Sequence, residues 1–223
     1  MEKLGARHQN LDQKVYTTLK SMIIERKLTP GTKIVQDKIA EELGVSRTPL
    51  VNALKKLEHE KLVASIPRKG FFVRLFSKQE LVQIFELREV LEGLTARRAA
   101  LECSDGQLEK LSQFFEDFKN VEHIEDVKKY AHEDRDFHSF LIKVGGEGML
   151  SDILDTYNIV TLSYQLISQE GLVRHPKETL AEHIAIIEAI RERKPLRAEK
   201  LARLHLTTSR KRLQKSVEES EEE

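Results

Sequence analysis

The chain has 223 residues, which suits one or two domains, and its single cysteine, Cys103, excludes an internal disulfide. No apolar run is long enough to cross a membrane, and the first ten residues lack the apolar core of a signal peptide, so we expect a cytoplasmic protein. The formal net charge of zero conceals an asymmetry: residues 1–76 hold 15 Lys+Arg against 8 Asp+Glu, and residues 77–223 hold 22 against 29, so only the N-terminal part favours a polyanion.

A predicted helix over residues 11–27 opens the N-terminal part and ends before the turn signal Thr29-Pro30-Gly31. The apolar residues on one face of this helix are Val15, Leu19, Met22 and Ile23. Their spacing is that of a helix that packs one side against a core.

Residues 36–57 predict two short helices joined by a tight turn at Gly44-Val45-Ser46. Their apolar faces consist of Ile39, Ala40 and Leu43 in the first helix and Leu50, Ala53, Leu54 and Leu57 in the second. Ser46 is suited to cap the second helix, and Pro49 falls in its first turn, where a missing N–H costs little. The pair predicts a helix-turn-helix, whose second helix normally enters the major groove of DNA.

The outer side of the second helix offers candidate contacts to DNA, which are Arg47, Thr48, Val51, Asn52 and Lys55. Arg47 and Thr48 lie at the N-terminus of this helix, the part that meets base edges. Arginine can pair bidentately with guanine, and asparagine with adenine. Val51 is apolar on a face that should be solvated, and it either contacts a thymine methyl group or is a neutral surface residue. An ordinary helical hairpin is the alternative interpretation of the whole segment.

Two short β-prone runs, residues 62–66 and 71–75, follow the helices, with a turn at Pro67-Arg68-Lys69-Gly70 between them. A hairpin that follows a helix-turn-helix is a wing. We therefore expect Arg68 and Lys69 at its tip to reach phosphate groups or the minor groove.

Residues 11–76 resemble the winged-helix domain of GntR-family bacterial transcription regulators. The matching residues, in order and spacing, are Leu28-Thr29-Pro30-Gly31, Ile39-Ala40, Leu43-Gly44-Val45-Ser46-Arg47-Thr48-Pro49, Ala53-Leu54, Leu57, Leu62-Val63 and Gly70. The resemblance implies a winged helix-turn-helix over residues 1–76 that binds double-stranded DNA. The chain departs from the family at Val51-Asn52, where the family usually carries Arg-Glu. Because these residues lie on the side of the helix that faces DNA, the resemblance does not imply the operator sequence.

From Ser77 onward the sequence predicts helices and no strand. The first helix covers Ser77–Glu102, with Ser77 as its N-cap and Glu80 completing a capping box. Its apolar side consists of Leu81, Ile84, Phe85, Leu91 and Leu94, and Ser104-Asp105-Gly106 breaks it. Further helices are predicted near residues 106–120, 125–144, 149–169, 177–193 and 196–217. The sequence thus predicts an all-α bundle of about six helices over residues 77–217, followed by a solvated acidic tail at 218–223.

Three histidines and an aspartate of this bundle are candidate metal ligands. Asp134 and His138 are four residues apart and so share a helix face. His183 and His205 lie at equal distances from the break centred on residue 194, so two antiparallel helices place them at the same height, roughly 16 Å from the turn. Such a set suits one divalent ion per chain, with Zn²⁺ and Ni²⁺ preferred to Mn²⁺ and Fe²⁺. The alternative is a group of isolated, hydrogen-bonded histidines.

Residues 77–210 resemble the FCD ligand-binding domain, which defines the FadR-type branch of the GntR family. The matching residues are Glu86-Leu87-Arg88, Leu91-Glu92, Ala99-Ala100, Asp134, Phe137-His138, Glu182-His183, Ile186, Ala189-Ile190, Ala198 and His205-Leu206. Metal-binding members of this branch use an aspartate and three histidines at the positions of Asp134, His138, His183 and His205. A departure is Gly145-Gly146-Glu147-Gly148, where the family often has Ser-Gly-Asn-Pro.

The resemblance also implies a small carboxylic or sugar acid as effector, bound near the metal, and a homodimer formed through this domain. Arg88 lies one turn from Ile84 on the apolar side of its helix and is a candidate effector-binding residue through a charge-assisted bond. A salt bridge with a helix neighbour is the alternative role for Arg88. Dimers of helix-turn-helix proteins bind palindromic operators, which agrees with the implied assembly.

We therefore predict a DNA-binding transcription regulator, not an enzyme, whose operator affinity is controlled by an organic acid. A metal-dependent hydrolase is the alternative, because Asp and His ligands with an open position also suit hydrolysis. Against it, the candidate general bases near the ligands are Glu133 and Asp136, which we interpret as solvated helix charges. A metal-free architectural DNA binder is a third interpretation.

Overall fold

The computed structural model describes residues 6–25, 27–119, 121–148, 150 and 172–221. The chain forms two compact units, Met1–Leu75 and Phe76–Glu223. The described residues are mostly helical and include one two-stranded hairpin, so the predicted fold class, a winged helix-turn-helix followed by an all-α bundle, is confirmed. None of the described helices combines the length and the apolar character that crossing a membrane requires.

Unit 1 begins with three helices: α1 (Ala6–Ile24), α2 (Gln36–Leu43) and α3 (Arg47–His59). Both α1 and α2 pack against α3, because the apolar residues of each recur at helical spacing on one face. The buried residues of this core are Val15, Tyr16, Leu19, Ile23, Ile39, Leu50, Ala53, Leu54 and Leu57. Met22, Ala40 and Leu43, which the sequence placed on the apolar faces, are only half-buried.

The turn of the helix-turn-helix depends on Gly44. This residue ends α2 in the left-handed conformation, with φ of 62°. Its N–H donates to the carbonyl groups of Ala40 and Glu41. Glycine reaches this conformation without steric cost. Ser46 is the N-cap residue of α3, as predicted, and has the extended backbone of that position, but its side chain makes no capping hydrogen bond. Pro49 lies in the first turn of α3, as predicted, and is buried.

The predicted wing is an antiparallel hairpin of β1 (Val63–Ile66) and β2 (Gly70–Val73). The Lys69 N–H donates to the Ile66 carbonyl at 3.0 Å and closes the turn. The strands are shorter than the predicted runs, but β2 gains a partner on its other edge. There the Ile34 N–H donates to the Phe71 carbonyl at 2.8 Å, and the Gly31 N–H donates to the Val73 carbonyl at 2.9 Å. The segment that follows α1 is thus hydrogen-bonded to the outer edge of β2.

The described part of unit 2 is mainly helical. Its elements are α4 (Lys78–Glu102), α5 (Asp105–Gln113), a 3₁₀ turn (Glu116–Phe118), α6 (Val127–Gly145), α7 (Pro176–Arg191) and α8 (Pro195–Glu221). The helix predicted at 149–169 lies outside the described residues. The last helix runs as far as Glu221 and so includes most of the predicted acidic tail.

Local sequence fixes where α4 and α5 begin. The Glu80 N–H donates to Ser77 Oγ at 3.1 Å and the Ser77 N–H donates to the Glu80 carboxylate at 2.9 Å, so the predicted capping box is confirmed. Ser104 and Gln107 form the same arrangement at the start of α5. The helix predicted at 106–120 stops at Gln113, because Phe114 is extended, with ψ of 136°, and Phe115 after it is left-handed, with φ of 63°, and an α-helix continues through neither conformation.

The apolar core of unit 2 collects side chains from all five helices and from the turn after α5. Gly145 brings the end of α6 against α4. A Cβ atom at this position would lie 2.0 Å from the Thr95 carbonyl oxygen, so a side chain would force the two helices apart. The close approach holds α6, which carries two of the candidate ligands, beside α4.

Candidate functional site

The four predicted metal ligands meet in the interior of unit 2. Asp134 and His138 lie on α6, His183 on α7 and His205 on α8, and all four are buried. The three histidines each offer a ring nitrogen within 4.8 Å of the others. His183 Nε2 lies 3.3 Å from His205 Nε2 and 3.5 Å from Asp134 Oδ1. The i, i+4 spacing on α6 and the equal heights on α7 and α8 therefore place these side chains as the sequence predicted.

Two of the histidines are held by carboxylates outside the cluster. His138 Nδ1 lies 2.7 Å from Glu92 Oε2, and His205 Nδ1 lies 2.7 Å from Glu182 Oε2. Because an ionised carboxylate only accepts hydrogen bonds, each Nδ1 must carry the proton. The Nε2 atoms of His138 and His205 are then unprotonated, and each carries a lone pair that can bind a metal. Such carboxylate–histidine pairs are the usual support of metal ligands in proteins.

The third histidine has a different surrounding. His183 Nδ1 lies 3.2 Å from the Tyr130 hydroxyl, which also contacts Thr179 Oγ1 at 2.8 Å. The Phe115 ring stacks on the imidazole, with 4.8 Å between centroids and 10° between planes. The hydroxyl fixes the rotation of the imidazole in its plane, and the stacked ring fixes the plane itself.

The donor set fits a divalent metal ion. Two ligands that each lie roughly 2.0–2.1 Å from one Zn²⁺ stand roughly 3–3.5 Å apart, and the Nε2 atoms of His183 and His205 are 3.3 Å apart. Without a cation, the lone pairs of His138 and His205 and the carboxylate of Asp134 would share a buried space with little compensation, which is costly. The residues present therefore suit a metal with nitrogen and oxygen ligands.

Burial keeps the imidazoles of His183 and His205 in the neutral form that binds metal. It is the main cause that lowers the pKa of His183 well below 6.5, and the neighbouring His205 and His138 lower it further. The pKa of His205 is also lowered, again chiefly by burial, although its hydrogen bond with Glu182 opposes this. Neutral imidazole is the ligating form, so these two histidines need not lose a proton near neutral pH before a metal binds.

Two buried arginines neutralise the carboxylates behind the histidines. Arg88 Nε donates to Glu92, one helical turn away, and Arg174 donates to both oxygens of Glu182 and to Ser209 Oγ. Burial would raise the pKa of each carboxyl group, but the adjacent guanidinium and histidine outweigh it and lower both pKa values to about 2. The outer ring of the site thus consists of ionised pairs.

From the sequence, Arg88 is a candidate for effector binding, with a salt bridge to a helix neighbour as the alternative. Its described contacts are those of the salt bridge. Its side chain is buried, pairs with Glu92 and has its guanidinium carbon 5.1 Å from the centre of the Phe85 ring. Contact between Arg88 and an effector stays a prediction.

Several supporting residues were not assigned a role from the sequence: Glu92, Tyr130, Glu182 and Arg174. Glu92 and Glu182 belong to the motifs that carried the family resemblance, so a signal for them existed but gave no role. For Tyr130 and Arg174 the sequence offered no signal, since each meets its histidine across more than 30 positions of the chain.

The predicted DNA-reading surface on α3 is largely exposed. Arg47, Thr48 and Lys55 are open to solvent. Asn52 is also exposed, but its Nδ2 donates to Asp12 Oδ2 of α1 at 3.0 Å. Pairing of Asn52 with adenine through both side-chain atoms would replace this exposed contact, and its role at DNA stays a prediction.

At the tip of the wing, Arg68 and Lys69 are both exposed. Arg68 has a left-handed backbone with φ of 63°, which makes the turn between the strands tight. The two cationic side chains are therefore neighbours at the end of a short, hydrogen-bonded hairpin, a placement suited to phosphate contact.

Comparisons with known proteins agree with this geometry. The family model described as "FCD domain" matches residues 83–208, and the model described as "Bacterial regulatory proteins, gntR family" matches residues 11–73. The chain is 26% identical over 210 residues to the HTH-type transcriptional regulator YdhC of Bacillus subtilis (strain 168), covering 93% of this chain and 92% of that protein. It is 26% identical over 182 residues to the gluconate operon transcriptional repressor of Bacillus licheniformis, covering 80% and 74%. The solved structure of Escherichia coli McbR/YncC shares the fold with a TM-score of 0.71 at 18% identity, covering 93% of this chain and 98% of that chain.

Proposed function

Since this chain belongs to the GntR family of bacterial regulatory proteins and carries an FCD domain, we propose that a small organic acid, bound near a metal ion, controls its affinity for DNA. The chain is a DNA-binding transcription regulator, as its relatives are, and not an enzyme, so the hydrolase alternative is abandoned. The observation that carries the proposal is the meeting of Asp134, His138, His183 and His205 in the interior of the unit that follows the winged helix.

Each unit has a separate task in this proposal. Residues 1–76 bind double-stranded DNA and residues 77–217 bind the metal and the effector, with residues 218–223 as an acidic extension. The excess of basic residues before residue 77 supports this division, because neutralised phosphates supply most of the affinity for DNA. A regulator of bacterial genes acts where the DNA is, so we propose a cytoplasmic location.

One divalent ion per chain binds to the four ligands. Three imidazoles and one carboxylate suit Zn²⁺ or Ni²⁺ best, with Mn²⁺ and Fe²⁺ as further candidates. When bound, the ion supplies a positive charge with open coordination positions, which can accept an oxygen of an organic acid. The chain itself orients the imidazoles through Glu92, Tyr130 and Glu182, and burial lowers the pKa of His183 and His205, which keeps these two neutral.

The effector is a small carboxylic or sugar acid. The positive charge of the metal favours an anion with a carboxylate, and a relative is named for the gluconate operon. Arg88 is our candidate for a direct contact with this acid. Its pairing with Glu92 supports a second route, in which Arg88 acts on the site through Glu92 and His138.

Signalling requires two copies of the chain. One recognition helix reads too few base pairs to be selective, so we propose a homodimer, formed through unit 2, on a palindromic operator. Residues 75–77 join the units, and a small rotation of α4 would change the spacing of the two recognition helices. An effector can shift this equilibrium only if it binds the free and the DNA-bound forms with different affinity.

The test of the function is the coupling between acid and DNA. We expect metal-loaded protein to show raised thermal stability with some members of a panel of small carboxylic and sugar acids, and changed operator affinity with the same members. Couplings of this kind are typically about 5–150-fold in affinity. Operator binding is measured by fluorescence anisotropy and mass by light scattering. A monomer on DNA, or identical operator affinity at saturating acid, would rule out the mechanism.

The wing gives a separate expectation for DNA affinity. Lys69→Ala is expected to weaken binding to all sequences similarly and to reduce the slope of log affinity against log salt concentration by about 1, because it removes a phosphate contact. The matched control is Lys27→Ala, which removes the same charge from an exposed lysine outside the α3 and wing surfaces. Equal salt slopes for the Lys69→Ala variant and the unaltered protein would show that the wing tip does not contact phosphate.

A further inference from the structure

Glu133 lies beside the ligand Asp134 on α6, but its carboxylate has a different partner. It accepts a hydrogen bond from the backbone N–H of Phe115, in the turn that follows α5. The sequence had suggested a solvated helix charge, and that interpretation is wrong, because Glu133 is half-buried and bound. The carboxylate thus fixes the backbone of a residue 18 positions away.

Phe115 is held in an unusual state. Its backbone is left-handed, with φ of 63°, a region that large side chains rarely occupy, and its side chain is fully buried. Such a conformation persists only where the surroundings determine it. Here the determining contacts are the hydrogen bond to Glu133 and aromatic contacts with Tyr130 and Phe137, at 5.4 and 5.5 Å between ring centroids.

The consequence of this backbone is the orientation of the Phe115 ring. It lies almost parallel to the His183 imidazole, 4.8 Å between centroids, on the side of a histidine that is itself fully buried. His138 and His205 have carboxylate partners, whereas His183 has only a neutral hydroxyl at Nδ1 among the described contacts, which sets rotation within the ring plane but not the plane. The plane is constrained by the Phe115 ring stacked on its face, with the tilted Phe137 ring 5.1 Å away between centroids.

We propose that Glu133 and Phe115 are positioning residues that set the ring plane of His183, so that its Nε2 faces the other ligands. Helix α6 then contributes to the site in two ways. It carries Asp134 and His138, and through Glu133 it fixes Phe115, which orients His183 on α7. The inference rests on the proposed metal site and adds two residues to it. It makes the turn after α5 part of the metal centre.

Four single variants of the full chain test this inference. Glu133→Met removes the acceptor and keeps the size of the side chain, whereas Glu133→Gln keeps an oxygen that can accept from Phe115. Phe115→Leu keeps an apolar side chain and removes the stacked ring. Asp136→Ala is the matched control, because it removes an exposed carboxylate from the same helix at a residue paired with His132.

The first readout needs no metal. In histidine-labelled, metal-free protein, the His183 ring resonances are expected to move in Glu133→Met and Phe115→Leu and to stay in place in Glu133→Gln and Asp136→Ala. Glu133→Met is the decisive variant for this readout, because loss of the Phe115 ring moves the resonances through its ring current alone. The second readout is titration with Co²⁺. Affinity is expected to fall about 10–100-fold in the same two variants, with an altered visible absorption spectrum, as for other residues that orient metal ligands.

The outcomes separate the inference from the proposed function. If both Glu133→Met and Phe115→Leu fold and keep the Co²⁺ affinity of the unaltered protein, and Glu133→Met also keeps its His183 resonances, the positioning role is overturned while the metal site stands. If the unaltered protein fails to bind Co²⁺, the metal site is overturned and the inference with it. Should Glu133→Met not fold, Phe115→Leu gives the Co²⁺ readout with Glu133 in place, and unchanged affinity there overturns the positioning role.

Discussion

Replacing His183 and His205 together by alanine is expected to reduce metal content from about one ion per chain to near zero. The variant loses two of four ligands, and the remaining Asp134 and His138 lie on one helix and cannot enclose an ion. The stabilisation that metal gives the unaltered protein, about 2.7 kcal/mol at a free concentration 100 times Kd, should vanish as well. Metal content is measured by elemental analysis after dialysis, and stability by thermal unfolding with and without added metal.

Two buried imidazoles are removed in this variant, so its metal-free form is itself less stable, and the informative quantity is the change on adding metal. The control is the double variant His123→Ala/His132→Ala, which removes two exposed imidazoles outside the cluster. It should keep its metal and the same thermal shift. Stoichiometric metal in the His183→Ala/His205→Ala protein would show that the ion, if any, binds elsewhere.

Arg47→Ala is expected to weaken binding to the specific operator by about 1–3 kcal/mol and to relax the sequence preference at one position. Arg47 is exposed at the N-terminus of α3, where recognition helices meet base edges. At roughly 1.4 kcal/mol per tenfold, this is a loss of about 5–150-fold in affinity. Anisotropy titrations against the operator and single-base variants of it provide the measurement.

The comparison with the wing distinguishes base reading from phosphate contact. Arg47→Ala should reduce the difference in affinity between specific and non-specific DNA, whereas Lys69→Ala should reduce both affinities alike. Unchanged discrimination in Arg47→Ala would place the base-reading surface elsewhere on unit 1.

The half-buried Val51 stands where the family usually has arginine, so Val51→Arg should alter site preference more than stability.

The parts of this fold that depend only on residues close together in the sequence were predictable. The helix-turn-helix follows from apolar spacing and from Gly44, and the start of α4 follows from Ser77 and Glu80, because these features act within one or two helical turns. The capping bond of Ser46 was the exception, since a suitable residue type does not ensure that its side chain turns toward the helix. The extent of α5 was another, because Phe115 takes a conformation that its residue type disfavours.

By itself, the sequence determined the two-unit design and the meeting of Asp134, His138, His183 and His205, because i, i+4 spacing and equal heights on adjacent helices are properties of single helices and one short turn. The tertiary structure alone decided what surrounds them. Glu92 meets His138 across 46 positions, Tyr130 meets His183 across 53, and Glu133 reaches the backbone of Phe115 in another element. Such contacts depend on how helices distant in sequence pack side by side, and no periodicity along one segment records which residue of another helix will face it.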